Sequence, residues 1–211
     1  MIIASLCLEE GAACAHLESM RTVDAAPDLF APPPLPPGLE YRPDFLDRDA
    51  EATLIEAFSA LPFREAPFRQ YTARRRVVRF GHDGYADIGA LQDGGPWPAW
   101  LLDLRAKAAH VARVDDDAFV HGLVSEYRPG TPIGWHRDKP GYGTVVGISL
   151  ASACRMRFRP YDNRHDRDAV IAVELARRSL YVLRDDIRWR WQHQIPPVKA
   201  LRYSVTFRTL A

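Results

Sequence analysis

The sequence predicts an α+β chain in which helices come first and short strands follow, the strands forming a sandwich or barrel with the helices as outer support. Two stretches before residue 112 place apolar residues at helical spacing, and after residue 118 the chain breaks into apolar runs separated by turn-rich or charged connections. A proline-rich segment sets both regions off from the N-terminus.

Residues 26 to 38 carry so many prolines that neither a helix nor a central strand can propagate through them. Residues 1 to 37 therefore read as a flexible leader and 38 to 211 as one domain. Asp47 or Asp49 can cap a helix through Ala50–Phe58, and Pro98 fits the first turn of a second helix that runs to about Val111. Strands are expected at 119–127, 144–150, 155–159, 169–175, 179–183 and 201–209.

With 211 residues and 47% hydrophobic composition, the chain is long enough for one full-sized core and short for two. Lys and Arg number 28 against 27 Asp and Glu, so no global field drives the protein onto a polyanion or a membrane, and any such site must be a local patch. Cys7, Cys14 and Cys154 are odd in number and scattered, which argues against a disulfide framework and for a reducing compartment, with cytoplasm as the default. The apolar run Met1–Leu8 lacks a basic flank and is followed by Glu9 and Glu10, a poor signal peptide. No stretch approaches the roughly 18 uncharged apolar residues of a membrane span. A soluble monomer is expected.

The residues that carry chemistry lie in the strand region. His136 and Asp138 are two apart, so on an extended segment both side chains project to one face while Arg137 points away. His193, just before Ile195-Pro196-Pro197, offers a third donor from a distant segment. Two histidines and a carboxylate are the facial ligand set of Fe(II) oxygenases. Taken alone, the spacing fits a surface loop as well as a metal site, and His16, His82, His110, His121 and His165 read as surface or hydrogen-bonded structural residues.

Near the C-terminus, alternation puts Arg202, Ser204, Thr206 and Arg208 on one strand face and Tyr203, Val205 and Phe207 on the other. A solvated antiparallel strand would explain the pattern. A polar face with two arginines and no acid also makes a cradle for a small dicarboxylate. Ser125 and Tyr127 share a face and offer further hydrogen bonds to a carboxylate.

Taken together, Tyr127-Arg128-Pro129-Gly130, Ile133-Gly134-Trp135-His136-Arg137-Asp138, Gly147-Ile148-Ser149-Leu150, Arg178-Ser179-Leu180, His193-Gln194-Ile195-Pro196 and Arg202–Arg208 resemble the AlkB family of Fe(II)/2-oxoglutarate dioxygenases in motif, order and spacing, from about Leu39 to the C-terminus. The resemblance implies a double-stranded β-helix, or jelly-roll, core. It implies Fe(II) held by His136, Asp138 and His193, with O2 and 2-oxoglutarate as cosubstrates. Arg202 would pair with the distal carboxylate, Tyr127 and Arg208 would support it, and Ser125, Ser204 and Thr206 would line the pocket. It also implies oxidative dealkylation of N-alkylated nucleobases in DNA or RNA, as in repair of alkylation damage.

Three positions depart from the repair members' pattern. Ser125 and Ser204 stand where asparagine is frequent and keep hydrogen-bonding capacity. Pro140 stands two residues after Asp138 where repair members carry an acid suited to a cationic methylated base, so a preference for cationic lesions does not carry over. On the substrate side, Arg74–Gly81 is the densest basic run and corresponds to part of the family's substrate lid, with Arg76, Arg79 and Tyr85 as candidate contacts to a splayed nucleotide. Arg155, Arg157 and Arg159 share one face of another strand, as an extension of that patch or as plain surface. Two further readings stand beside the dealkylase: the same oxygenase chemistry on a protein or small molecule, and a catalytically silent nucleic-acid-binding module.

Overall fold

A computed structural model describes residues 35–68, 71–81, 95–163, 165–166 and 169–211, with side chains of 66–68 and 71–73 left out. In chain order the elements are β1 (Leu39–Arg42), α1 (Arg48–Ser59), β2 (Arg64–Phe68), β3 (Tyr71–Gly81), α2 (Ala99–Ala112), β4 (Phe119–Tyr127) and β5 (Ile133–His136). They continue with β6 (Tyr142–Leu150), β7 (Cys154–Pro160), β8 (Ile171–Leu175), β9 (Ser179–Leu183), α3 (Asp185–Trp189), β10 (Trp191–Ile195) and β11 (Arg202–Leu210). A seven-stranded sheet in the order β1-β9-β6-β11-β4-β3-β2 faces a four-stranded sheet in the order β5-β10-β7-β8. Every pairing between these strands is antiparallel, which is the jelly-roll arrangement.

Two apolar layers follow from strand alternation. On the outer face of the large sheet, Val124, Val146, Ile148, Val182, Val205 and Phe207 meet Leu54 and Phe58 of α1 and Leu101, Leu104 and Ala108 of α2. The inner face meets the small sheet through Val145, Met156, Phe158, Leu183 and Ile195. Burying both faces of the large sheet explains why its strands read as near-continuous apolar runs.

Asp47 caps α1, its Oδ1 accepting the Ala50 N–H at 2.7 Å. Pro98 stands one position ahead of α2, and α2 ends at Arg113 in the left-handed region at φ 55°. Buried Glu51 of α1 accepts hydrogen bonds from Arg177 at 2.6 Å and from the Ala151 amide at 2.9 Å, tying the helix to the turns after β6 and β8. Burial alone would raise the Glu51 pKa, and the Arg177 contact, the Ala151 amide and Arg178 bring it below its ordinary value.

The expected strands at 119–127 and 179–183 appear with those bounds, and the others shift by one to two residues at their ends. The basic run Arg74–Gly81 is the end of β3, and from Arg76 to Gly81 it pairs with β4 in the large sheet. The chain beyond it, residues 82–94, lies outside the described residues. No helix among the described residues is long and apolar enough to cross a membrane.

Candidate metal and cosubstrate site

The pairing of β5 with β10 sets His136 directly opposite His193, with ring centroids 4.3 Å apart. His193 Nε2 lies 3.6 Å from Asp138 Oδ2, too long for a hydrogen bond and of a size that an ion held by both would span. His136 Nδ1 is 2.9 Å from the Gly134 carbonyl, which can only accept, so the proton sits on Nδ1 and Nε2 keeps its lone pair for a metal. The donor set is right in kind but relaxed in geometry. Among the described residues no three such side chains stand together at metal-holding distances, and closing the set takes a side-chain adjustment.

The electrostatics suit ligation. Burial pushes the His193 pKa down to about 3, with the neighbouring His136 adding to the effect against the pull of Asp138, and burial lowers His136 too. Asp138 stays well below the usual carboxylate range because Arg208 and then the two histidines outweigh the burial that would raise it. Two neutral imidazoles and one carboxylate at neutral pH are the protonation states that metal binding needs. The loop that carries Asp138 is fixed by Arg188 of α3, which donates to the carbonyls of Lys139 and Tyr142 at 2.6 Å and of Gly143 at 2.9 Å.

β11 supplies the other half of the site. Its face carrying Arg202, Ser204 and Thr206 turns into the space between the sheets, and Arg202 is only 1% exposed. Arg202 Nε donates to Ser149 Oγ at 3.0 Å, its guanidinium lies 4.9 Å from the centre of the Tyr127 ring, and Nη1 has no partner among the described residues. A buried guanidinium with an open donor and no carboxylate beside it is costly unless an anion completes it. That orphaned donor fits the distal carboxylate of 2-oxoglutarate. Arg208, which the resemblance sets in support of Arg202, stands at the metal end instead, Nε and Nη2 both 2.9 Å from Asp138 Oδ1. Six residues of strand, about 20 Å of backbone, separate the two arginines.

The remaining candidates divide by strand face. Tyr127, Ser204 and Thr206 line the pocket with His136, Asp138, His193, Arg202 and Arg208. Ser125 is buried opposite Ser204 in the β4–β11 register but is not among the lining residues. Arg76 points to the helix-covered face, where Nε and Nη2 pair with Glu126 at 2.8 and 2.7 Å, an ion pair turned away from the pocket. Arg79 is on the inner face of β3 but outside the pocket lining, and Tyr85 lies outside the described residues.

Three residues that the sequence reading did not assign to the site are in it. Arg75 lines the pocket and hydrogen-bonds Tyr127, as does Ser204. Burial would raise the Tyr127 pKa, and the Arg75 and Arg202 charges turn it downward. Ser149 receives Arg202. Tyr181 lines the pocket, its ring lying across Gly147 so closely that a Cβ there would meet it at 2.2 Å, and burial raises its pKa. Alternation along β3 separates Arg75 from Arg76, and the bare Gly147 opposite Tyr181 is the signal that could have found the tyrosine.

Comparison with known proteins agrees with this architecture. The family model for the 2OG-Fe(II) oxygenase superfamily matches residues 38–208. The chain is 26% identical over 175 residues to the mouse tRNA (carboxymethyluridine(34)-5-O)-methyltransferase ALKBH8, covering 78% of this chain and 25% of that protein. It is 28% identical to the zebrafish probable RNA/DNA demethylase ALKBH6, covering 76% and 70%, and 28% identical to the mouse DNA oxidative demethylase ALKBH2, covering 66% and 63%. It thus spans about a quarter of the ALKBH8 proteins' length. In fold it resembles OsALKBH1, with a TM-score of 0.65 at 18% identity over 83% of this chain and 100% of that one. A Trichoplax adhaerens prolyl hydroxylase gives 0.58 at 14% identity, covering 82% and 83%. With a matching family model over most of its length, the chain belongs to the 2OG-Fe(II) oxygenase superfamily, whose members use Fe(II), 2-oxoglutarate and O2.

Proposed function

We propose that the chain removes N-alkyl groups oxidatively from nucleobases in DNA or RNA, as a monomer in a reducing compartment such as the cytoplasm, in the repair of alkylation damage. The observation that carries this reading is a groove of about 580 Å³ opening beside His136 and Asp138, lined by Trp135, Tyr161, Trp189, Arg137 and Lys139. Aromatic faces for a splayed base and cations for its phosphates are what an enzyme acting on a nucleobase needs next to its oxidant. The relatives described as nucleic-acid demethylases support the same substrate class.

Bound Fe(II) and 2-oxoglutarate supply oxidation of a C–H bond by O2. The chain's own residues hold and orient those groups. His136, Asp138 and His193 would hold the metal, and Arg202 with Ser149 and Tyr127 would hold the far carboxylate of the cosubstrate. Arg208 keeps Asp138 ionised and in place. Tyr181, Leu123, Val145, Met156 and Ile195 give the pocket a largely apolar lining. Arg75 adds a cation to the pocket, and Pro140 with Arg137 and Lys139 lines the groove beside it, an environment for neutral rather than cationic lesions.

The test is formaldehyde release from a panel of methylated single-stranded DNA, RNA and free nucleosides. Turnover of at least one neutral methylated base is expected. Slow decarboxylation of 2-oxoglutarate with no turnover of any nucleobase would transfer the reading to a protein or small-molecule substrate. No metal- or cosubstrate-dependent activity of any kind would leave only a silent binding module.

A further inference from the structure

The outer face of the four-stranded sheet meets the groove beside His136 and Asp138 at one edge, through Trp135 and Gln192, and extends well beyond it. Its strands turn Met156, Phe158, His193 and Ile195 inward. Alternation therefore sends Trp135 of β5, Gln192 of β10 and Arg155, Arg157 and Arg159 of β7 outward. The Arg159 guanidinium reaches across β10 to lie 4.3 Å from the centre of the Trp135 ring, and its Nε donates to Gln192 Oε1 at 2.9 Å. Arg157 approaches the same ring at 6.0 Å. One indole thus has two guanidinium groups beside it, both anchored to a rigid strand. The acid that faces this row from β8 is Glu174, opposite Arg155 in register.

The row joins two grooves. At the metal end, Arg137 stacks on Tyr161 at 3.7 Å and donates Nη1 to the Trp189 carbonyl at 3.0 Å, in the groove that opens on His136 and Asp138. At the other end, Arg155, Arg157 and Lys199 line a groove of about 630 Å³ that runs to Pro196 and Pro197. Cations therefore recur from the metal ligands to Lys199, along a strand of seven residues that spans roughly 20 Å.

Planar cations held beside an aromatic ring suit a phosphodiester chain with unpaired bases: guanidinium groups take the phosphates, and the ring takes a stacked base. Among the described residues of these strands, an apolar partner would find the Trp135 ring and the small Ala172 side chain on this face. The geometry points to a track for single-stranded nucleic acid across the outer face of the small sheet, carrying the strand that flanks the modified base from the metal groove to the Lys199 groove. This rests on the nucleobase reading of the site and extends it from a base-sized pocket to a strand-sized surface. It also predicts that an oligonucleotide is a better substrate than the nucleoside it contains.

The experiment uses the full chain loaded with Fe(II) and 2-oxoglutarate. Binding of a fluorescein-labelled, unmethylated 12-mer of single-stranded DNA is followed by anisotropy across a salt series, for wild type and for Arg157→Gln/Arg159→Gln. Loss of two phosphate contacts is expected to weaken binding about ten-fold at low salt and to lower the slope of log K against log salt by about 1.4. Arg155→Gln/Lys199→Gln, at the far end and on exposed side chains, should lower the slope by a similar amount and guards against a folding defect in the first pair. In turnover, the KM ratio between a methylated dinucleotide and a methylated 12-mer should shrink towards one in both variants.

An unchanged salt slope in both variants overturns the track. So does a glutamate-rich peptide that displaces the 12-mer as well as unlabelled DNA does, because the face would then serve an acidic protein segment. The two readings fail separately. Turnover of dinucleotide and 12-mer with equal KM removes the track and keeps the dealkylase, whereas salt-dependent 12-mer binding lost in both variants, with no methylated base turned over, keeps the track and removes the dealkylase.

Discussion

Arg202 on β11 and Arg157 on β7 come from strands that alternate arginine with apolar side chains, and they have opposite surroundings. Arg202 is 1% exposed, while Arg157 is only half-buried beside a tryptophan. The difference lies in what covers the other face of each strand. Tyr203, Val205 and Phe207 of β11 are buried beneath the helices, so its arginines are forced into the narrow space between the sheets. Met156 and Phe158 of β7 fill that same interior from the opposite side, so its arginines are left to solvent. An arginine driven inward without an acid beside it becomes a receptor for one small anion. The same residue driven outward on a flat face suits an extended anion bound by many weak contacts.

The sharpest break of this comparison is to remove what the inward arginines serve. With Fe(II) and 2-oxoglutarate added anaerobically, the wild type should show a weak visible charge-transfer band, and His136→Ala should abolish it. The absence of a band in metal-loaded wild type would sink the oxygenase assignment of this site. Next in size, Arg202→Ala should weaken 2-oxoglutarate binding by about 2 to 5 kcal/mol in calorimetric titration. Arg157→Ala should leave that affinity alone, and equal effects would erase the distinction between the strands.

Arg208→Gln probes the inward strand at its metal end. It should lower Fe(II) affinity by about 10- to 100-fold, as loss of a partner behind a metal ligand does. A loss confined to 2-oxoglutarate affinity would mean that Arg208 works beside Arg202 after all.

The half-exposed Arg177 on buried Glu51 is an intermediate case, and Glu51→Gln should cost about 1 to 3 kcal/mol in denaturant unfolding at neutral pH. The Glu51 pKa is depressed in the folded chain, so its contribution is fully present above the ordinary glutamate range and fades as pH falls through the folded value. The gap between wild type and Glu51→Gln should therefore close on acidification, and a gap that widened would refute the direction of the shift.

Alternation is also why part of the site was legible in the sequence. His136 with Asp138, and Arg202 with Ser204, Thr206 and Arg208, share faces because strands repeat every two residues, and the structure keeps those faces together. What alternation cannot give is depth along a strand or the identity of the opposing wall. Arg208 and Arg202 look equivalent by period, and only the pairing of β11 against β4 and β6 separates a metal end from a carboxylate end. Arg75 and Arg76 are adjacent in a basic run, and which of them faces the pocket depends on the β3–β4 register, which no local pattern encodes. The strands β5 and β10 are only four and five residues long and each gives a position to a ligand histidine, so they carry little of the apolar alternation that marks the other strands.

The Arg188 clamp gives the enzyme a point of failure far from its ligands in sequence. One side chain satisfies three backbone carbonyls of the turn that follows Asp138. A chain altered there would keep its three metal donors and both sheets while losing the shape of the turn that presents the carboxylate. In a collection of inactive variants, position 188 would belong with the ligand positions by phenotype, though arginine is not itself one of the three metal donors.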